Sequence, residues 1–368
     1  MRKEHVLIIR FSAMGDVAMM VPVVYSAAMQ YPDVRFTVLS RPFARPLFDD
    51  LAPNVDFMAA DLKKEYHGVK GLNALYRRLT AKQFTKVADM HNVLRSEYLR
   101  MRFNLGRYRV EHINKHRHDK RALTAYNNKV RKQLPTAFQC YADVLARLGY
   151  PIKMDFSTIF PEEKGNLNML PASVGPKKNF EQWIGIAPTA AHRGKVYPQS
   201  MMRQVIVELS QKYPKARFFL FGRGKKETQL FAKWCSELPR CMDTGSELES
   251  LHHELILMSH LDVMISMDSA NMHLASLTAI PVVSIWGATH PYAGFMGWNQ
   301  PPQNAIQAEN IACRPCSIYG NRPCQRGDFA CLSSIKPESI LCRVEEILNK
   351  QSPLLTPNKQ SEDEKVCM

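Results

Sequence analysis

Three short segments of this 368-residue chain carry side chains whose types and spacing could do chemistry. The first is Ser12-Ala13-Met14-Gly15-Asp16, between an apolar run that ends near Phe11 and a helix-like stretch. A carboxylate in the first turn of a helix sits near the positive end of the macrodipole, which favours its charged form. Asp16 therefore reads either as a helix-capping acid or as a carboxylate able to accept a proton at the rim of a cleft. The second is Gly185–Met201, where Thr189, His192, Arg193 and Lys195 lie between a strand and the helix that Tyr197-Pro198 introduces. It reads as a solvated loop or, with cations beside a helix start, as an anion site. The third is Ile265–Pro291, where Asp268 and Ser269 close a strand and His273 follows one turn into a helix, as a hydrogen-bond donor or a core residue.

Elements that would position these groups are visible on both sides of a Pro-, Gly- and charge-rich stretch at 161–182. Residues 5–11, 35–40, 55–60 and 86–91 read as strands in the first half. In the second half, residues 182–188, 216–222, 241–245, 262–268 and 280–287 do the same. Helical segments between them include 198–213, with Pro198 at the first turn, and 225–238. Such alternation predicts two parallel, doubly wound sheets, over about 1–165 and 183–350, the latter with a C-terminal helix. The tail 351–368 reads as polar and disordered. In open α/β sheets ligands bind outside the carboxyl ends of the strands, so the three segments are expected around one cleft between two lobes.

Composition limits the partners. Lys and Arg number 49 against 34 Asp and Glu, a net charge of +15, which favours anionic ligands. Between Arg95 and Lys132 there are 12 Lys or Arg and three acids, with His112, His116 and His118 interleaved. That run reads as a solvated helical face or a surface for a phosphate-rich partner. No apolar run approaches the roughly 20 residues that span a bilayer, and the N-terminus reads as a first strand rather than a signal peptide. A cytoplasmic location with mostly reduced thiols follows for the nine Cys. Nucleic acid is a rival partner on charge alone, but no recognised binding module accompanies it. A nicotinamide-dependent oxidoreductase is disfavoured because residues 11–16, FSAMGD, replace a G-x-G-x-x-G fingerprint after the first strand.

Together the three motifs, SAMGDVAMMVP, APTAAHRGKVYP and MDSANMHLASLTAIPVVSIWGATHP, resemble those of glycosyltransferase family 9, the lipopolysaccharide heptosyltransferases. The resemblance runs over residues 1 to about 350. It implies a GT-B fold, two Rossmann-like domains facing across a cleft. It further implies inverting, metal-independent transfer of a heptose from ADP-heptose to the lipid A–Kdo inner core. By the same analogy Asp16 in its Gly15-Asp16 turn is the general base, and Lys195 neutralises the donor diphosphate. Asp268, Ser269 and His273 lie around diphosphate and sugar, and Gly222 to Glu227 lies near adenine and ribose. The implied acceptor is a phosphorylated glycolipid, which places the enzyme peripherally at the inner face of the inner membrane. Ala190 and Ala191 stand where some members carry two threonines, so Thr189 or His192 is left to supply a hydroxyl or imidazole contact. A different nucleotide sugar or glycan acceptor within the family remains open.

The chain contains no D-x-D, the pair that holds a divalent cation on the diphosphate in many glycosyltransferases of another fold. Leaving-group charge would then fall to Lys195, Arg193 and the helix start at Ser269. Cys313, Cys316, Cys324 and Cys331 are expected as free thiols, with a structural zinc as the less favoured reading because their later spacings fit no standard knuckle.

Overall fold

A computed structural model describes residues 4–351. Of the expected tail, Gln351 is the last residue of a helix and 352–368 lie outside these residues. Contacts divide the chain into two units, residues 1–117 with 134–159 and residues 118–133 with 160–368.

The first unit holds five parallel strands: β1 (His5–Ile9), β2 (Arg35–Ser40), β3 (Val55–Ala59), β4 (Lys86–Asp89) and β5 (Arg109–His112), in the order β3-β2-β1-β4-β5. The second holds six: β6 (Trp183–Ala187), β7 (Arg217–Leu220), β8 (Cys241–Asp243), β9 (Val263–Met267), β10 (Val282–Trp286) and β11 (Ala305–Gln307), in the order β11-β10-β9-β6-β7-β8. Strands covered by helices on both faces need apolar side chains on both. Accordingly β6, β9 and β10 are buried at every residue, and β1 at all but His5. In each sheet the strand order reverses beside the first strand of the unit, between β1 and β4 in one and between β6 and β9 in the other. Such reversals splay the following loops apart and leave a crevice for a ligand.

The nine expected strands and the helices Gln199–Lys212 and Lys225–Glu237 are present. The C-terminal helix Pro337–Gln351 closes the second unit, and its Ile340, Leu341, Val344, Ile347 and Leu348 join the core built on β6, β7, β9 and β10. Strands β5 and β11 were not expected from the sequence. The basic run 95–132 is not the property of one unit either, because its second part, from His118, belongs with the second. Lys129 Nζ donates to the carbonyls of Cys313 and Pro315, at 2.7 and 2.8 Å. Arg131 donates to those of Ala312 and Arg314, and Arg322 to that of Thr124. Five charge-assisted bonds of this kind fix a segment that has little apolar surface to bury.

Candidate functional site

In the first unit, β1 passes through Arg10 and Phe11 into the turn before the helix Met14–Ala18, which contains both Gly15 and Asp16. Asp16 caps locally, as one of its two readings required: its Oδ2 accepts the N–H of Ala13 at 3.2 Å. It also forms an ion pair with Arg10 at 2.9 Å, with side chains 27% and 7% exposed. The buried guanidinium donates to the Met90 carbonyl at 2.5 Å and lies 5.5 Å from the centre of the Tyr141 ring. Tyr141 in turn donates its hydroxyl to the Asp16 carbonyl at 3.2 Å. The carboxylate is thus held by the Ala13 N–H and the Arg10 guanidinium, and its backbone carbonyl by Tyr141, with a quarter of its side chain open to solvent.

The loop after β4 supplies the other half of this reversal. Asp89 is fully buried and accepts the N–H groups of His91 and Asn92 at 2.9 and 2.8 Å, with Arg100 at 3.4 Å. This turn sets His91 beside the β1 loop. His91 Nδ1 accepts the Phe11 N–H at 3.4 Å, and Nε2 faces Ser12 Oγ at the same distance. An Nδ1 that accepts cannot carry the proton, so the neutral ring is the Nε2–H tautomer. Burial, reinforced by Arg10 and Lys115, drives the His91 pKa down to about 3. The imidazole is therefore uncharged at neutral pH, and the positive charge beside Asp16 comes from Arg10 and not from His91.

Next to it, a cleft of about 500 Å³ is lined by Asn92, Glu111, His112, Ile113, Asn114, Lys115, Arg117 and Arg147. Lys115 donates to the Asn92 carbonyl, and burial together with Arg10 lowers its pKa. Arg147 is engaged by Glu111 and Asp143. Of the three histidines in the basic run, only His112 lines this cleft, and His118 falls in the other unit.

In the second unit, the loops at the β6/β9 reversal bring Lys195 and Asp268 together. Lys195 Nζ stands 3.1 Å from Asp268 Oδ2, with side chains 16% and 5% exposed. The lysine stem passes over Gly320, whose φ of +74° and lack of a Cβ leave it room. Below it Gly194 closes on the Gly320 carbonyl, where a Cβ would come within 2.8 Å. Tyr197 anchors the segment from inside, its N–H to Met267 Sδ at 3.3 Å and its hydroxyl to the Ile335 carbonyl at 2.7 Å.

Ser269 is the N-cap of the helix Ala270–Ser276 but makes no cap bond, its Oγ lying 3.3 Å from Ser266 Oγ. Asn271 reaches the Phe221 carbonyl at 3.4 Å, tying this helix to the end of β7. There Gly222 and Glu227 meet: a Cβ on Gly222 would come within 3.1 Å of Glu227 Cγ. Arg223, between them, donates to buried Glu254 at 2.6 Å and to the Leu248 carbonyl.

The remaining residues singled out from the sequence are more dispersed. His192 and Arg193 are exposed, Arg193 lying 4.8 Å from the centre of the Phe329 ring, and Thr189 is half-buried. His273 is buried at 6% exposure, which places its ring in the interior of the unit. Cys313, Cys316, Cys324 and Cys331 are free thiols that line one small cavity with Arg322 and Arg326. Burial pushes the Cys331 thiol up to about 12. Among the described residues no group of three or more His, Cys, Asp or Glu side chains is placed to hold a metal ion.

Sequence reasoning missed Arg10, His91, Asp89 and Lys115. The available signal was positional: each charged or imidazole side chain sits at or just past the carboxyl end of a strand, where a buried apolar residue would otherwise continue the run.

Two parallel α/β units, each gathering charged side chains where its strand order reverses, define a GT-B protein. The chain belongs to glycosyltransferase family 9 (heptosyltransferase), whose profile matches residues 72–323, more than half of its length. Lipooligosaccharide heptosyltransferase 2 of Campylobacter jejuni is 24% identical over 184 residues, 48% of this chain and 54% of that protein. The chain thus spans about half the length of the curated relatives it matches. A family 9 glycosyl transferase from Veillonella parvula has the same fold, with a TM-score of 0.71 at 16% identity over 95% of this chain and 98% of its own. The E. coli heptosyltransferase WaaC, solved with ADP, gives 0.65 at 18% over 93% and 99%. Among the described residues no helix is long and apolar enough to cross a membrane.

Proposed function

We propose that the protein transfers a heptose from an ADP-activated donor to the inner core of lipopolysaccharide, with inversion at the transferred carbon. The Asp16 carboxylate takes the proton of the acceptor hydroxyl as its oxygen attacks the anomeric carbon. The bond from that carbon to the diphosphate breaks, and the ADP that leaves carries the electron pair. The ammonium of Lys195 meets the charge that develops on the departing phosphate, with Arg193 and the peptide N–H groups after Ser269 in support. Asp268 holds Lys195 in place until the diphosphate arrives. Gly222 and Glu227 lie toward the nucleoside. In this reading the charge on the leaving group is met by the protein's own cations and peptide N–H groups.

On the acceptor side, the cleft lined by Lys115 and Arg117 takes an anionic group of a phosphorylated glycolipid, and the enzyme works in the cytoplasm at the inner leaflet. The observation that carries this reading is family membership joined to the position of Asp16. It is a part-exposed carboxylate fixed by a buried arginine at the strand-order reversal of its sheet.

The test is transfer from ADP-heptose to a lipid A–Kdo acceptor, followed by release of ADP. Asp16→Asn is expected to lose at least about 100-fold in turnover while binding ADP within threefold of the native protein. Turnover retained by Asp16→Asn removes it from the base role. A stronger thermal shift with UDP or GDP than with ADP overturns the donor assignment.

A further inference from the structure

The helix Leu94–Leu105 turns an apolar stripe outward that neither the core nor the site uses. Leu94, Met101 and Leu105 are 85%, 49% and 75% exposed. At about 100° per residue, their spacing aligns them within about 40° of one another. Ser96, Leu99 and Phe103, all buried, occupy the opposite side of the helix. The helix Gly68–Thr80 packs alongside, its Asn73 Oδ1 accepting from Tyr98 at 2.8 Å and Arg102 at 2.5 Å. That helix buries Leu72, Leu75 and Leu79 and leaves Lys70, Arg77 and Arg78 exposed, with Val69 62% exposed at its start. From residue 63 to 82 there are six Lys or Arg and one acid.

We propose that this two-helix face docks on an anionic lipid bilayer. Leu94, Met101, Leu105 and Val69 enter the boundary between headgroups and acyl chains, and Lys70 and Arg77 meet lipid phosphates. Large apolar side chains flanked by cations on one helical face are the pattern that interfacial binding rewards on both counts. The same charge disfavours a second copy of the chain as the occupant. A two-fold contact would bring the stripe onto its own image and set Lys70 and Arg77 against like charges. The inference deepens the proposed acceptor assignment by naming the surface that would bring the site to a lipid-linked substrate, but lipid binding needs neither donor nor acceptor.

The experiment is co-sedimentation of the full-length protein with vesicles of phosphatidylcholine alone and with one third phosphatidylglycerol. The native protein is expected to bind the anionic vesicles at least about tenfold more tightly, and less so as salt rises. Leu94→Ser with Leu105→Ser should lose about tenfold or more in vesicle affinity, and Lys70→Gln with Arg77→Gln a similar factor. All four positions are on the surface, so thermal midpoints within about 2 °C of native confirm that the fold is kept. Transfer to a water-soluble acceptor without acyl chains should stay within threefold in both variants, while transfer to acceptor embedded in anionic vesicles falls. Native protein left in the supernatant, variants that bind as well as native, or a dimer abolished by the leucine changes would each overturn the proposal. Vesicle binding without any heptose transfer would leave it standing and remove the proposed reaction instead.

Discussion

Replacing Arg10 by Met tests whether the acid at the first reversal is positioned or merely present. The substitution keeps length and apolar volume but removes a charged fork whose side chain is 7% exposed. Three attachments go with it: the Asp16 pair at 2.9 Å, the bond to the Met90 carbonyl at 2.5 Å and the stack on Tyr141. Hydrogen bonds to charged groups are worth about 1.5–3 kcal/mol each. Asp16 can rehydrate through its open quarter, and a Met side chain buries well, so the net loss should be about 2–3 kcal/mol rather than the sum. That corresponds to a fall of roughly 4–12 °C in the midpoint of the first unit.

Turnover should fall further than stability explains. Asp16 keeps the Ala13 N–H at 3.2 Å but loses the buried guanidinium that fixes it, and displacing the proposed base by about 1 Å costs about 100-fold. Arg10→Lys should recover part of the stability and little of the rate, because an ammonium cannot hold the carboxylate and the carbonyl in the same fork geometry. A third readout separates the electrostatic role. Arg10 is the largest charge depressing the imidazole of His91, so its removal must raise the His91 pKa, followed by NMR. Turnover within threefold of native in folded Arg10→Met, at a temperature below its midpoint, would refute the positioning argument. An unmoved His91 titration would refute the electrostatic one.

Lys195→Met should raise the KM for the donor and lower kcat together, by about 100-fold or more in kcat/KM, while leaving buried Asp268 without its ammonium. Adding Asp268→Asn should restore most of the stability and none of the activity. Full recovery of activity in that double variant would make the pair structural. His91 gives a pH dependence. Neutral in the folded chain down to about pH 3 and protonated near 6.5 when unfolded, it makes the unfolded state bind the extra proton between those values, so stability falls as pH falls. From pH 6.5 to 5.0 its share is about 2 kcal/mol by urea denaturation, and His91→Asn should lose that share, with an unchanged slope counting against it. Transfer measured in excess EDTA should keep its rate, and complete loss reversed by a divalent cation would contradict charge neutralisation by Lys195.

Much of the scaffold can be read from the sequence because its signal is local. Central parallel strands must be apolar on both faces, and β1, β6, β9 and β10 announce themselves as short continuous runs. The two strands that escaped are edge strands with one neighbour each. β5 is Arg-Val-Glu-His with no fully buried residue, and β11 is Ala-Ile-Gln with none either. An edge needs no second buried face, so its compositional signal is weak: it suffices at the other two edges, β3 and β8, and not in these two. The crossing of residues 118–133 into the second unit is invisible for a different reason. Lys129 and Arg131 are held by backbone carbonyls at 312–315, and a carbonyl is the same in every residue.

The site divides along the same line. Asp16, Lys195 and Asp268 stand out individually, as charged residues in loops after apolar runs. What holds each of them does not. Arg10 looks like an interruption at the end of a strand, and His91 looks like the last residue of one, until the pairing of Ile9 with Asp89 brings the two loops together. Lys195 and Asp268 are brought together in the same way by the pairing of Ala187 with Ser266. Parallel pairing in register sets the carboxyl ends of neighbouring strands level, and at a reversal in strand order the loops that follow diverge to opposite faces. Side chains in the loops that follow these strands, such as Lys195 after β6 and Asp268 after β9, are then the ones that can meet across the gap. A charged residue at such a position, in a strand that is otherwise apolar to its end, is therefore a candidate for a partner one strand away, even with 70 to 80 residues between them in the chain.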